Sequence, residues 1–307
     1  MKIGIVDLDT SHPRNWIPIE RQLGHEVAGI LDSGDVHPPL YAKEFSREHS
    51  IPRVYDDLSQ MARDVDCAII HSCDWDSHVA KAAPFVEAGK AVLVDKPIAG
   101  NIRDLEQFRK WVRQGARITG GSSLRFCDEK RQWLAQDVAK RGAAHTVFAG
   151  CAVDDFNYGI HAYSLISGIM GPGIKSVRHL GRHVQRRVQV DWADGRTAIL
   201  VIGAADNWLP FHASICTDKQ VTQFIVESGK VYAALLNATL PYLAGVQDRP
   251  PVEFDQLIEP ELAAIAAMVS WTEGDRVVQL TELDSNTAGY DGAEFARLYR
   301  KQKYPKA

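Results

Sequence analysis

The sequence predicts an α/β fold: an N-terminal doubly wound parallel sheet, then an α+β domain with an open, largely antiparallel sheet. Three observations predict it. Over residues 1–122 short apolar runs alternate with helical patterns, as strand–helix crossover units do. From residue 123 the pattern turns β-rich, with turn signals at Ala193-Asp194-Gly195 and Glu227-Ser228-Gly229. The length of 307 residues, 45% of them hydrophobic, is enough for two cores. We therefore expect domains at 1–122 and 123–307.

The elements follow in order. "KIGIV" reads as a buried strand, and "NWIPIERQLG" as a helix ending at Gly24. "HEVAGILD" is a second strand that ends on Asp32. "PLYAKEFSREHSI" and "DDLSQMARDV" have helical spacing, and "DCAIIHS" is a third strand. "DSHVAKAAPFVEAGK" is a helix stopped by Gly89; "AVLVDKP" is a strand, "NIRDLEQFRKWVRQG" a helix, and "ARITGGSSLRF" begins as a strand. In the second domain a helix "DEKRQWLAQDVAKRG" precedes the strand "AHTVFAGCAV" and the helix "GIHAYSLISGIMG". "SVRHLGRH", "RRVQVDWADGRTAILVIGA", "FHASICTD" and "QVTQFIVESGKVYAALL" read as β-rich, and "EPELAAIAAMVSWTEG" as a late amphipathic helix.

Composition excludes several functions. A net charge of −4, with Lys and Arg scattered, gives no footprint for nucleic acid. No apolar run reaches the roughly 18 residues of a membrane span, and no signal segment opens the chain, so the expected address is the cytoplasm. The five cysteines are odd in number and widely spaced, which suits reduced thiols; no CxxC pair suggests zinc.

The turn after the first strand is unusual. A dinucleotide fold places G-x-G-x-x-G there, for a tight turn, for close approach to the pyrophosphate and for helix packing. Here Asp7, Asp9 and His12 stand at those positions. A carboxylate about 4 Å from a phosphate costs about 4 kcal/mol at an effective dielectric near 20. Thr10 and Ser11 offer hydroxyls instead, and Pro13 suits a helix start whose free amides attract anions. Asp9 either faces the phosphates or turns away to cap the helix. Asp32, ending the second strand, is placed to take ribose hydroxyls and to repel a 2′-phosphate, which favours NAD over NADP.

"GKAVLVDKPIAGN" and "DDFNYGIHAYSLISGIMG" carry a resemblance to the glucose–fructose oxidoreductase / inositol dehydrogenase / MocA family. Asp95 stands where that family has Glu before Lys-Pro, and Asn157 where it has Asp four residues before His161. "SCDWDSHVAKAAPFVEAGK" and "GGSSLRF" resemble the segments around them. The resemblance implies a Rossmann domain, a nicotinamide cofactor, and hydride transfer at a carbinol of a sugar, cyclitol or related polyol. It implies Lys96 and His161 as catalytic residues and leaves Asn157 only an orienting role, because an amide cannot take a proton. It also implies that Asp9, Thr10, Ser11, His12, Asp32, Ser72, Asp74, His78, Asp95, Lys96 and Arg125 line the cofactor. A homodimer or homotetramer through the C-terminal sheet is expected, since "RRVQVDWADGRTAILVIGAA" is apolar on both faces.

Two other readings stay open. Asp7, Asp9, His12 and Asn157 suit a binding or regulatory protein that keeps the fold without redox chemistry. "DLDTSH" and "DWDSH" share a grammar: Asp7, Asp9 and His12 in one, Asp74, Asp76 and His78 in the other. On neighbouring strands they could hold a divalent metal, as in a lyase or hydrolase. The residue patterns favour no metal and a dehydrogenase.

Overall fold

The computed structural model describes residues 1–305. The chain forms two compact units. The first comprises Met1–Gly120, Leu236–Phe254 and the segment from Asp291; the second comprises Gly121–Leu235 and Asp255–Tyr290. The first break falls two residues before the expected 122/123 boundary. The return of two later segments to the first unit has no signal in local patterning.

In the first unit β1 (Lys2–Val6), β2 (Glu26–Leu31), β3 (Cys67–Ile70), β4 (Ala91–Val94) and β5 (Ile118–Gly120) alternate with helices. These are α1 (His12–Gln22), α2 (Tyr41–Glu48), α3 (Leu58–Asp64), α4 (His78–Glu87) and α5 (Ile102–Arg113). The sheet is parallel, in the order β2-β1-β3-β4-β5. Every residue of β3 and β4 is buried, which is why these strands read as continuous apolar runs rather than alternating ones. Caps fix where helices begin: Asp57 accepts from the Gln60 amide at 2.6 Å, and Asn101 from that of Asp104 at 2.9 Å. At Gly120 a Cβ would lie 1.9 Å from the Val94 carbonyl oxygen, so only glycine lets β5 close on β4. Because the strands are parallel, Asp32 and Lys96 leave the sheet at the same carboxyl edge.

Beyond Gly120 come α6 (Asp128–Ala135), α7 (Val138–Arg141), β6 (Thr146–Gly150), α8 (Gly159–Met170), β7 (Ile174–Arg182), β8 (Arg186–Trp192) and β9 (Thr197–Ile202). Then follow β10 (His212–Cys216), β11 (Val221–Ile225), α9 (Val231–Leu243), α10 (Phe254–Leu257), α11 (Glu259–Thr272), β12 (Val278–Gln279) and α12 (Gly292–Lys303). The second sheet runs β11-β10-β6-β9-β8-β7-β12, antiparallel except for β6 beside β9. Its strands bury alternate residues, as Ala198, Leu200 and Ile202 of β9 show. The other face carries Phe148, Val221 and Ile225, 47%, 63% and 65% exposed.

The structure corrects four expectations. The helix "DEKRQWLAQDVAKRG" is two, broken where Asp137 starts α7 by accepting from the Ala139 amide. "VYAALL" is not strand but the start of α9, a helix of 13 residues, longer than most strands. α11 is not amphipathic: almost all of Pro260–Ser270 is buried, so an Ala-rich helix is enclosed rather than one-faced. The helix α12 was not expected, although Asp291 followed three residues later by Glu294 is an N-cap signature, and the Asp291 carboxylate accepts from the Glu294 amide at 2.7 Å.

Glu20 lies on the buried side of α1, fully enclosed, with neither carboxylate oxygen hydrogen-bonded. Burial pushes its pKa up to about 8, against the small opposing pull of Arg21. The native state therefore keeps a proton that the unfolded chain loses near pH 4, so stability declines as pH rises from about 4 to 8. Glu20→Gln should flatten that decline and raise stability at pH 8.5 by up to about 3–5 kcal/mol. Denaturant titrations of both proteins at pH 5 and 8.5 check this; an equal difference at both pH values would contradict it.

Candidate functional site

The site is built where β1, β2, β3 and β4 end. Asp7 follows β1 with φ of +64°, the left-handed conformation that a turn glycine would take. Its amide donates to the Leu31 carbonyl at 2.7 Å, tying β1 to the end of β2. Its carboxylate points inward and is fully buried. One oxygen accepts from the Ser33 amide at 2.8 Å; the other accepts from Lys81 Nζ at 2.6 Å and from the Ser72 hydroxyl. Burial alone would raise the Asp7 pKa, but the charge and hydrogen bond of Lys81, with Ser72 and Ser33, outweigh it and hold it below the ordinary value. Lys81, on α4, also reaches Asp35 at 3.2 Å, and these carboxylates keep its pKa above normal despite burial.

Asp9 does not face the crevice, as a cofactor-binding residue would. It is fully buried, and its Oδ2 accepts from the Cys73 amide at 2.8 Å. Nor does it cap α1: its Oδ1 accepts no hydrogen bond from the helix or elsewhere among the described residues. Burial, then the charge of Asp7, pushes Asp9 up to about 7. Neither carboxylate is thus aimed outward: Asp7 is paired with a lysine, and Asp9 is turned inward with its pKa raised. Asp32 is partly exposed after β2; burial, then Asp7, raises it to about 6.

At β4 a second acceptor organises the rim. Asp95 Oδ2 accepts from His12 Nδ1 at 2.5 Å and from His71 Nδ1 at 2.8 Å, and Oδ1 accepts from the Lys96 amide at 2.7 Å. Burial opposes ionisation, but His12 and His71 outweigh it and hold Asp95 well below the usual carboxylate range. Burial lowers the pKa of His71. His12 stacks on Trp16, with centroids 5.4 Å apart. Among the described residues, His12, His71 and Asp95 alone bring possible metal-ligand atoms together, within 4.8 Å of one another. Their donors already satisfy the carboxylate.

The proposed grouping of Asp7, Asp9, His12, Asp74, Asp76 and His78 is not assembled as a ligand set. Asp74 caps the 3-10 turn Trp75–Ser77, and Asp76 accepts from the Gly292 amide at 2.7 Å. His78 is buried, with ring nitrogens 2.9 Å from the Ser72 and Ile98 carbonyls. Ser72 and His78 therefore brace the rim from inside, whereas Thr10, Ser11, His12, Asp32, Asp74 and Lys96 keep exposed surface. Sequence reading missed Lys81, a lone lysine inside the apolar helix pattern "HVAKAAPF", and His71, whose position at a strand end was the available signal.

The remaining candidates belong to the second unit. His161, on α8, is buried and holds its Nδ1 2.7 Å from the Ser122 hydroxyl, with Phe211 edge-on at 5.0 Å. Asp154 orders the entry to α8 by accepting from the Phe156 and Tyr158 amides, and Asn157 reaches it at 3.5 Å. Asp155 pairs instead with Arg186 at 2.9 Å. Arg125 is not an open cofactor contact: it is buried, bonded to Ser167 at 3.2 Å, and burial lowers its pKa to about 10.

Residues 2–119 match an oxidoreductase family with an NAD-binding Rossmann fold. A trans-1,2-dihydrobenzene-1,2-diol dehydrogenase of Danio rerio is 32% identical over 106 residues, 34% of this chain and 30% of that protein. The chain thus aligns with under a third of that relative's length. Two solved structures share the fold over most of the chain. Scyllo-inositol dehydrogenase from Lactobacillus casei, with NAD(H) and scyllo-inositol bound, has a TM-score of 0.77 at 17% identity, covering 92% of this chain and 99% of its own. GenD2 from gentamicin A biosynthesis, in complex with NAD, has a TM-score of 0.77 at 16% identity, covering 91% and 96%.

Lys81→Met should leave the Asp7 carboxylate buried without its counter-charge and cost about 3–5 kcal/mol. Adding Asp7→Gly should recover most of that loss, because glycine accepts the left-handed turn and removes the orphaned charge. Urea melts of the single and double variants measure the coupling; additive losses would show that the pair does not act as one unit.

Proposed function

We propose, from the premise that residues 2–119 belong to the glucose–fructose oxidoreductase / inositol dehydrogenase / MocA oxidoreductases with their NAD-binding Rossmann fold, that the chain is a nicotinamide-dependent dehydrogenase. Its substrate class is the CH–OH of a sugar, cyclitol or related polyol. The observation that carries the reading is the carboxyl rim: the carboxylates replacing the turn glycines are neutralised or turned inward, while Lys96 stands at the end of β4 with its amide anchored by Asp95. The rim residues therefore fit a pyrophosphate. Asp32 at the end of β2 favours NAD over NADP, because a carboxylate there takes ribose hydroxyls and repels a 2′-phosphate.

The bound nicotinamide would supply the hydride acceptor. We assign to Lys96 the stabilisation of the substrate oxygen as it loses its proton, a task for a fixed cation. We assign to His161 the proton itself: with Nδ1 held by Ser122, the ring exchanges its proton at Nε2. Asn157, an amide, can orient a hydroxyl and no more. The five cysteines are free thiols, in keeping with a cytoplasmic address.

Calorimetric and fluorescence titration with NAD, NADH and NADP tests the cofactor reading. NAD(H) should bind, and more tightly than NADP(H); no binding at millimolar concentration would overturn it. With a cyclitol or sugar substrate, Lys96→Ala and His161→Asn should each lower kcat on the order of 10²-fold or more while NADH still binds. Normal turnover by Lys96→Ala would remove the catalytic assignment and leave the cofactor one standing.

We also propose a homodimer or homotetramer joined through the outer face of the second sheet, where Phe148, Val221 and Ile225 are exposed together. Light scattering should report an oligomer at micromolar concentration and a smaller species for Phe148→Asp/Ile225→Asp. A monomeric wild-type protein would refute it.

A further inference from the structure

In a doubly wound sheet the ligand crevice opens where strand order reverses, outside the carboxyl ends of the strands. Here the reversal lies between β1 and β3, and the adenosine end is the β2 side, marked by Asp32. The three loops that leave β1, β2 and β3 on that side are all gripped by one element, α12.

Its start sits against the loop after β3. The Gly292 amide donates to Asp76, and a Cβ on Gly292 would come within 2.7 Å of the Trp75 amide nitrogen and of Asp74, so no larger residue permits this approach. Phe295 packs on Trp75 with centroids 5.0 Å apart. Ala296, Phe295 and Tyr299 form one apolar cluster with Cys73 of that loop and Val36 of the loop after β2. Further along, the Arg300 guanidinium donates to the Gly34 and Asp35 carbonyls at 3.0 and 3.3 Å. Lys303 Nζ donates to the Asp9 carbonyl at 2.9 Å, reaching the loop after β1. The Tyr304 hydroxyl bonds His37 Nδ1 at 2.7 Å, while His37 Nε2 faces the Leu8 carbonyl at 2.9 Å.

We propose that α12 is an intramolecular occupant of the adenosine end of the crevice, displaced when a dinucleotide binds. The inference rests on the nicotinamide reading above. It accounts for the bonds and packing of α12 on the loops that leave β1, β2 and β3 on the side of Asp32. A nucleotide that binds only the undocked state has its apparent affinity reduced by the fraction of molecules in which α12 is released.

Three full-length proteins test it, each titrated with NADH by calorimetry. In Arg300→Ala/Lys303→Ala/Tyr304→Phe the polar anchors are gone, and NADH should bind at least tenfold more tightly. In Ala296→Cys, whose new thiol shares an apolar cluster with native Cys73, protein in which thiol titration verifies the disulfide should lose NADH binding, and reduction should restore it. In the wild-type protein, α12 amides should exchange hydrogen faster when NADH saturates. Equal affinity in the oxidised and reduced staple, weaker binding without the anchors, or α12 amides that stay protected with NADH bound would each overturn the inference and leave the nicotinamide reading intact. If no form binds NADH, the released form included, the cofactor reading fails and the inference fails with it.

Discussion

The buried ion pair between Asp7 and Lys81 is the constraint on which the rest of the rim depends. A Rossmann turn without its first glycine must still enter the left-handed region, and a side chain there has to go somewhere. In this protein it goes inward, where an uncompensated carboxylate would be prohibitive. Lys81 on α4 supplies the counter-charge, Ser72 and the Ser33 amide fill the remaining acceptor sites, and the ends of β1, β2 and β3 become one hydrogen-bonded unit. The cost appears at the neighbours. Burial first, and then the Asp7 charge, raises Asp9 and Asp32 above the ordinary carboxylate range.

Asp95 solves a similar problem at β4 by different means. Three donors converge on it: His12 Nδ1 from α1, His71 Nδ1 from the end of β3 and the backbone amide of Lys96. That buried carboxylate holds His12 and orders the Lys96 backbone. The two devices turn Asp7, Asp9 and Asp95 inward and leave a crevice edge whose exposed groups are hydroxyls, an imidazole, an amine and the carboxylates of Asp32 and Asp74.

Much of the architecture was legible in the sequence. Apolar runs marked β3 and β4, and helical spacing marked α3 and α5, because burial acts locally. Local signals failed where an element's nature depends on what encloses it. α9 looked like strand because its first residues are apolar and aromatic, and α11 looked one-faced although it is enclosed on nearly all sides. α12 carried a legible cap, yet nothing local said that it would return to the first unit.

The site divides along the same line. Residue types and spacing alone determined the parallel sheet, the shared edge of Asp32 and Lys96, and the departure from glycine at positions 7, 9 and 12. Only the tertiary structure decided what that departure means. The sign of a carboxylate's effect depends on which way it points and what meets it, and Lys81 lies 74 residues beyond Asp7. Likewise Asp95 gathers His12 from 83 residues away and His71 from 24, and Lys303 reaches Asp9 across 294. Such long-range contacts leave no trace in local periodicity, because they are set by how the strands are ordered in the sheet and by where the chain's last helix lands.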